Sequence, residues 1–198
     1  AARRRGSDVP VMPISRPSEA FDAFSGGLPV LNIADGEYRP GAPDRDGAVL
    51  TLRSITDAAA LAISGDAGGI VTGPIAKARL AAIGFSHPGQ TEFVAHACGV
   101  PARDAVMMLA GPQLRTVPLT VHVALADVPA LVTQELVEHR ARIIARALSR
   151  DFGVAAPRIA VAALNPHAGE DGRFGDEDAR LIAPAVAAAC AFARDLTF

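Results

Sequence analysis

The segment that most constrains the fold is an apolar run, Ile159 to Leu164, followed directly by a polar loop, Asn165 to Gly172. The run is long enough for one buried strand. After the loop comes the acidic cluster Asp176-Glu177-Asp178, which can cap a helix start and match its charge. A strand, a loop and a helix in this order indicate an α/β fold, with the loop at the carboxyl edge of a sheet. Open α/β sheets bind their ligands at that edge.

The loop contains an amide, an imidazole and a carboxylate, from Asn165, His167 and Glu170. Gly169, Gly172 and Gly175 allow backbone conformations that other residues resist. A simple connection needs turn formers but not these three side chains, so the loop is a candidate site. A turn with a surface histidine explains the same residues, and both interpretations stay open at this point.

The rest of the chain alternates strand-like and helix-like segments. This pattern predicts a largely parallel sheet with helices on both faces, arranged in two lobes. Residues 1–27 are predicted to be an irregular arm, and the lobes to span 28–85 and 86–198 with an open boundary. The other predicted strands are 28–33, 69–72, 105–109 and 117–123. The predicted helices run from Ser54 or Thr56 to Ile63, from the turn at Gly73-Pro74 onward with Lys77 one turn in, over 91–98 and 129–152, and from the acidic cluster through Phe192.

Composition narrows the possible function classes. The 198 residues carry a formal net charge of -2, which gives no electrostatic footprint for nucleic acid. No run approaches the roughly 18 apolar residues that a membrane span needs, and the amino-terminal residues do not resemble a secretory signal. Cys98 and Cys190 are too few for a disulfide framework and are predicted to be buried thiols of a reducing compartment. We therefore expect a cytoplasmic protein.

The first residue of the chain is an alanine rather than an initiator methionine. We therefore expect the chain to be a part of a longer polypeptide, or only the ordered residues of one.

Two histidines follow predicted strands and are candidate metal ligands. A parallel sheet would bring His122 and His167 to the same edge, and neutral imidazole is the commonest metal ligand in proteins. A catalytic metal usually has three protein ligands, so a third would come from Glu170, from chain outside this sequence or from a second subunit. A structural role for each histidine is the alternative. His87, His96 and His139 give weaker signals.

Two further runs place donors at predicted helix starts. They are Val71-Thr72-Gly73-Pro74, followed by Lys77, and Pro88-Gly89-Gln90-Thr91-Glu92-Phe93. Free backbone N–H groups and the helix dipole favour an anion there, although both threonines could simply be caps. The chain has no G-x-G-x-x-G fingerprint, no G-x-S-x-G elbow and no C-x-x-C pair.

Taken together, these motifs resemble the 4-hydroxythreonine-4-phosphate dehydrogenase family of pyridoxal phosphate synthesis. The resemblance rests on Val-Thr-Gly-Pro-x-x-Lys, Gly-Gln-Thr-Glu-Phe, the strand-end His122 and Leu-Asn-Pro-His-Ala-Gly-Glu-x-Gly, in that order. It covers nearly the whole chain from about Leu28. The Asn-Pro-His-Ala-Gly-Glu run is the most specific of these motifs.

The resemblance implies an isocitrate/isopropylmalate dehydrogenase-like fold and a homodimer with shared active sites. It also implies NAD and a divalent metal (zinc, magnesium or cobalt). By match to the family motifs, His122 and His167 are metal ligands, and Gln90 and Thr91 contact the phosphorylated substrate. The implied reaction oxidises the secondary alcohol of 4-phosphooxy-L-threonine and then decarboxylates the β-keto acid to 3-amino-2-oxopropyl phosphate. The family's third metal histidine and much of its nicotinamide site lie past Phe198, and no catalytic or cofactor-binding residue is assigned within this chain.

One position departs from the family pattern, which usually has histidine where this chain has Gln90. This difference keeps open a paralogous dehydrogenase acting on another 4-phosphorylated hydroxy acid, such as erythronate or threonate phosphate. A metal-dependent hydrolase that needs no NAD and a non-catalytic binding module are the alternatives from other classes.

Overall fold

The structure, a computed structural model, describes residue 6, residues 8–33, residue 36 and residues 41–195. The chain divides into two compact units, Ala1–Val100 and Pro101–Phe198. Helices predominate in both units, and the first also contains a short parallel sheet. The predicted α/β class is therefore confirmed.

The first unit begins with a parallel pair of strands, β1 (Val11–Ile14) and β2 (Leu28–Leu31), with Val11 opposite Leu28. The short helix α1 (Ala20–Ala23) lies between them in the chain. β2 confirms the strand predicted from Leu28. β1 replaces residues 11–14 of the irregular arm predicted over 1–27, of which 1–5 and 7 lie outside the described residues. Prolines hide the apolar character of 11–14, but a two-stranded sheet has only edge strands, and edge strands tolerate proline.

In the described part of this unit, the α-helices that follow are α2 (Arg45–Ser64), α3 (Lys77–Ala81) and α4 (Gln90–Ala97). α2 begins nine or more residues before its predicted start at Ser54 or Thr56, because the Asp44 carboxylate accepts from the Gly47 N–H at 2.8 Å and caps the helix there. It ends, as predicted, at Gly65, whose φ is +83°. The core of the unit consists of Ala48, Leu80 and Phe85, packed against Leu52, Ile75, Ile83 and Phe93.

Among the described residues, α2 is the one helix long enough and apolar enough to cross a membrane. Core helices of soluble proteins meet the same criteria, so a single such helix is weak evidence. α2 buries Ala48, Ile55 and Ala59 within the protein. The absence of a membrane segment stays a prediction.

The second unit contains β3 (Leu109–Ala110) paired antiparallel with β4 (Arg115–Thr116), then α5 (Val128–Leu131), α6 (Gln134–Phe152) and α7 (Ala183–Asp195). A π-helical turn, Asp178–Ile182, leads into α7. The helix predicted over 129–152 is interrupted, because the Thr133 hydroxyl accepts from the Leu136 N–H at 3.1 Å and starts a new helix. Gly153, with a φ of +66°, ends α6 as predicted.

Most of the strands predicted from apolar runs are not paired. Within the described ranges, segments 69–72, 117–123 and 159–164 form no strand, and only Leu109 of 105–109 does. The largely parallel sheet is thus replaced here by one parallel and one antiparallel pair. An apolar run specifies burial, but a strand also requires a neighbouring backbone that satisfies its N–H and C=O groups. Burial is partly achieved, since Leu119, Val161 and Leu164 pack against the second core cluster, Val132, Val137 and Ala185.

The two cysteines also differ from prediction. Cys98 and Cys190 are both free and exposed rather than buried. α4 ends at Ala97, so Cys98 lies at the exposed helix end, and the apolar neighbours of Cys190 in α7 do not determine which face it occupies.

Candidate metal and substrate sites

The loop after Leu164 has an unusual backbone. Five consecutive residues, 168–172, have positive φ angles, and three of them, Ala168 (+49°), Glu170 (+41°) and Asp171 (+56°), are not glycine. The left-handed conformation costs an L-residue roughly 1–2 kcal/mol. The three glycines of the segment also have positive φ: Gly169, Gly172 and Gly175. They therefore adopt the backbone conformations that glycine is expected to allow at these positions. Strain of this kind concentrates at functional sites.

Asn165 holds the two sides of this loop together. Its Oδ1 accepts from the backbone N–H of His167 at 2.9 Å, and its Nδ2 donates to the Phe174 carbonyl at 3.3 Å. The Gly169 carbonyl accepts from the N–H groups of both Gly172 and Phe174, at 3.0 Å each. These hydrogen bonds all join residues of the loop to one another, so the loop conformation is stabilised by contacts within the loop.

The left-handed turn brings Glu170 beside His167. The Glu170 Oε1 lies 2.9 Å from the Nδ1 of His167, and the ring of Phe174 lies 5.4 Å from the imidazole, centroid to centroid. The imidazole side chain is 64% exposed. The arrangement fixes one edge of the ring within the loop and leaves the other nitrogen, Nε2, for an external partner.

His122, the other predicted ligand, is exposed and also has a left-handed backbone, with a φ of +59°. It lies in the same unit as His167. Within the part of the chain that the structure describes, no three His, Cys, Asp or Glu side chains group as a metal site would require. Two exposed imidazoles fit a divalent metal chemically, but the described residues do not by themselves complete its coordination.

In the first unit, the structure joins Gln90 to the segment before α3. The Thr72 hydroxyl donates to Gln90 Oε1 at 2.8 Å, and Gln90 Nε2 donates to the Gly73 carbonyl at 3.1 Å. A carbonyl can only accept, so Nε2 must face Gly73, Oε1 must face Thr72, and the hydroxyl must donate. One N–H of the amide remains for another acceptor. The two sequence runs predicted to form an anion site therefore do meet.

The details of that prediction change. Thr72 does not cap α3, whose N-cap is Ala76, and Thr91 lies inside α4, whose N-cap is Gly89. Neither helix start has a side-chain cap bond. The pairing of Thr72 with Gln90 was missed, because the two lie 18 positions apart and no local pattern reports such a contact.

A cavity of about 450 Å³ lies between α6, α7 and the segment 155–161. Its lining is mainly apolar and includes Arg142, Arg146 and Arg158. None of the predicted site residues lines it, so it contributes nothing to the candidate sites described above.

Comparison with known proteins adds to this geometry. The family model of the pyridoxal phosphate biosynthetic protein PdxA matches residues 1–196. The chain belongs to the PdxA family. The resemblance inferred from the motifs is thus confirmed.

The PdxA relatives are longer than this chain, and the alignments give the share of each relative that the chain covers. The chain is 55% identical over 187 residues to the 4-hydroxythreonine-4-phosphate dehydrogenase of Erythrobacter litoralis, covering 94% of this chain and 56% of that protein. It superposes on the crystal structure of the enzyme of that name from Klebsiella pneumoniae with a TM-score of 0.80 and 36% identity, covering 92% of this chain and 56% of the other. The chain therefore spans about half the length of the relatives it matches.

A more distant structural neighbour has a different name. It is a terephthalate 1,2-cis-dihydrodiol dehydrogenase from Burkholderia xenovorans, with a TM-score of 0.53, 28% identity and coverage of 91% of this chain and 55% of that one. Related chains are thus named for different alcohol substrates, which bears on the alternatives below.

Proposed function

We propose that the protein containing this chain is an NAD- and metal-dependent 4-hydroxythreonine-4-phosphate dehydrogenase of pyridoxine 5'-phosphate synthesis. PdxA family membership and the names of its relatives support this function. The observation that carries it is the His167 loop, in which a strained backbone and Glu170 hold an exposed imidazole through its Nδ1.

For the whole protein we propose the isocitrate/isopropylmalate dehydrogenase-like fold, with its largely parallel sheet and two lobes. The runs 117–123 and 159–164 support it, since the partly buried side chains of Leu119, Val161 and Leu164 pack against the core cluster. In this proposal the same runs gain hydrogen-bonded strand partners in the complete protein.

His122 and His167 are the residues of this chain that would hold the metal. When bound, a divalent zinc, magnesium or cobalt ion supplies Lewis acidity that stabilises negative charge developing on the substrate oxygen. His167 would contribute a nitrogen ligand, and the Asn165 and Phe174 contacts hold the loop that carries it. NAD would supply the hydride acceptor, and no described residue of this chain is assigned to its site.

Gln90 and Thr91 are proposed to bind the phosphorylated substrate. The bonds from Gln90 to Thr72 and Gly73 leave one N–H with a fixed direction, which suits a phosphate or carboxylate oxygen. Lys77, the first residue of α3, adds a positive charge in the same unit.

A second candidate is a dehydrogenase of another alcohol, such as erythronate or threonate phosphate. Gln90 favours it, because an amide stands where the family usually has an imidazole. The similarity to a dihydrodiol dehydrogenase also supports substrate variation within this type of fold.

We also propose a cytoplasmic homodimer whose sites use both subunits, with no nucleic-acid or membrane partner. The incomplete ligand set among the described residues supports a shared site. Mixing two inactive variants, His167→Ala and a variant of the third ligand, should restore activity after subunit exchange. Failure of verified mixed dimers to recover activity would exclude shared sites.

The function is tested with the full-length protein, NAD and candidate substrates at equal concentration. We expect an absorbance increase at 340 nm with 4-phosphooxy-L-threonine that depends on added metal. A faster rate with erythronate or threonate phosphate would favour the second candidate. Turnover of a phosphorylated hydroxy acid without NAD reduction would favour a metal-dependent hydrolase over both dehydrogenases. Protein that contains no metal and turns over none of these substrates would favour a non-catalytic binding module.

Replacing Gln90 by histidine tests its contact with the substrate. Protonated imidazole adds a charge-assisted hydrogen bond, which is roughly twice as strong as a neutral one. We therefore expect Gln90→His to lower the substrate KM about threefold to tenfold at pH 5.5 relative to the parent protein. This advantage should fade as the pH rises through the ordinary histidine pKa of about 6.5.

The measurement is the ratio of parent to mutant KM from pH 5.5 to 8.5, since titration of the substrate phosphate cancels in that ratio. Thr72→Val is the matched control, because it frees Gln90 Oε1 without adding a charge and should change KM equally at all pH values. A flat ratio for Gln90→His would mean that residue 90 does not meet the anion.

A further inference from the structure

Among the described residues, Glu170 is the carboxylate found in direct contact with a proposed ligand, and sequence alone left it as a candidate third ligand. We propose that Glu170 is a positioning residue: it holds the proton on Nδ1 of His167, so that Nε2 is presented to the metal. This inference rests on the proposed role of His167 as a metal ligand. In it, Glu170 contacts the imidazole of that ligand and not the metal itself.

The hydrogen-bond chemistry gives the direction of the contact. An ionised carboxylate only accepts, so across the 2.9 Å separation the Nδ1 of His167 donates and Glu170 Oε1 accepts. In a neutral imidazole the other nitrogen then holds a lone pair. Metal-binding histidines typically use their second nitrogen in this way, with a carboxylate or carbonyl behind the ring.

The loop brings the two groups together at an energetic cost. Glu170 has a φ of +41°, in a region where glycine is favoured, yet a carboxylate side chain stands there. Its N–H donates to the His167 carbonyl at 3.1 Å, and its own carbonyl accepts from the Arg173 N–H at 3.2 Å. The strained turn thus fixes the Glu170 backbone next to the imidazole it contacts.

The ring is held from more than one direction. Phe174 lies against it at 5.4 Å, and Asn165 fixes the backbone N–H of His167. Both contacts orient the residue, but neither is a hydrogen bond to a ring nitrogen. The choice of tautomer is therefore left to Glu170.

The test measures Zn²⁺ affinity of the full-length protein by competition with a chromophoric chelator. Glu170→Ala should bind Zn²⁺ about 10- to 100-fold more weakly, the usual loss when such a partner is removed. Glu170→Gln should stay within about threefold of the parent, because the amide oxygen still accepts from Nδ1. Asp171→Ala is the matched control: it removes the same charge from the next residue, which has a similar left-handed φ of +56°.

The ¹⁵N spectrum of the His167 ring gives a second readout that a purely structural role would not move. In metal-free protein at alkaline pH, the parent and Glu170→Gln should show the proton on Nδ1, whereas Glu170→Ala should shift it to Nε2. Unchanged affinity and tautomer in Glu170→Ala would overturn the inference. Equal, severe Zn²⁺ loss in Glu170→Gln and Glu170→Ala would make Glu170 a direct ligand instead.

The result for His167→Ala separates this inference from the proposed function. Normal Zn²⁺ affinity in that variant would remove His167 from the metal site, and the proposed function would fail with it. Loss of Zn²⁺ in His167→Ala with normal binding in Glu170→Ala would leave the function standing and reject only the positioning role.

Discussion

His167→Ala should remove the bound metal from the full-length protein and lower turnover by at least about a thousandfold. A Lewis-acid metal contributes several kcal/mol to stabilising the transition state, and about 4 kcal/mol corresponds to that factor. The fold should remain cooperative, because the imidazole is 64% exposed and its removal leaves no buried cavity. His122→Ala should behave in the same way, since that residue is exposed as well.

The measurement combines metal content, turnover and thermal unfolding for each variant. His96→Ala is a suitable control, because His96 is an exposed histidine that matches no family motif; its ring lies 5.2 Å from that of His87. It should retain metal and rate. If either His122→Ala or His167→Ala keeps stoichiometric metal and a near-normal rate, that residue is not a ligand.

The sequence predicted features that depend on neighbouring residues. Gly65 and Gly153 end helices in left-handed conformations, as glycine allows without a steric penalty. The loop glycines near His167 have positive φ for the same reason. Such features are encoded within a few positions, so one chain is enough to predict them.

Contacts between distant positions could not be predicted in the same way. The Thr72–Gln90 bond joins residues from two separate runs, and the parallel pairing of β1 with β2 crosses α1. Apolar runs such as 159–164 predict burial but do not identify a backbone partner. That is why 159–164 has no strand partner among the described residues, although Val161 and Leu164 still pack against the core.

The His167–Glu170 contact is an intermediate case. A spacing of three residues suggests contact on a right-handed helix, but here a left-handed turn brings the side chains together. Three non-glycine residues adopt positive φ in that turn. The conformational propensities of these residues would not predict a left-handed turn. Such backbone strain persists only where the surrounding hydrogen bonds and contacts determine the geometry.

Gly169→Ala should have the second large effect, because this buried glycine has no space for a side chain. A Cβ at this position would lie 2.5 Å from the Gly175 carbonyl oxygen, so the backbone must move. The Gly169 carbonyl accepts from Gly172 and Phe174, and Phe174 contacts the His167 ring. We expect the shift to propagate to that ring and weaken Zn²⁺ binding by more than about tenfold, the scale of losing a supporting contact.

Gly172→Ala is the matched control for this variant. Its φ of +90° carries a similar penalty of roughly 1–2 kcal/mol for an L-residue, but a Cβ there meets nothing within 4 Å. We expect Gly172→Ala to lower the thermal midpoint while Zn²⁺ affinity stays within about threefold of the parent. Comparing the two variants in the Zn²⁺ competition assay separates the steric clash from the left-handed penalty. Equal losses of affinity would show that any strain in the turn disturbs the site, and the specific path from Gly169 through Phe174 to His167 would then be wrong.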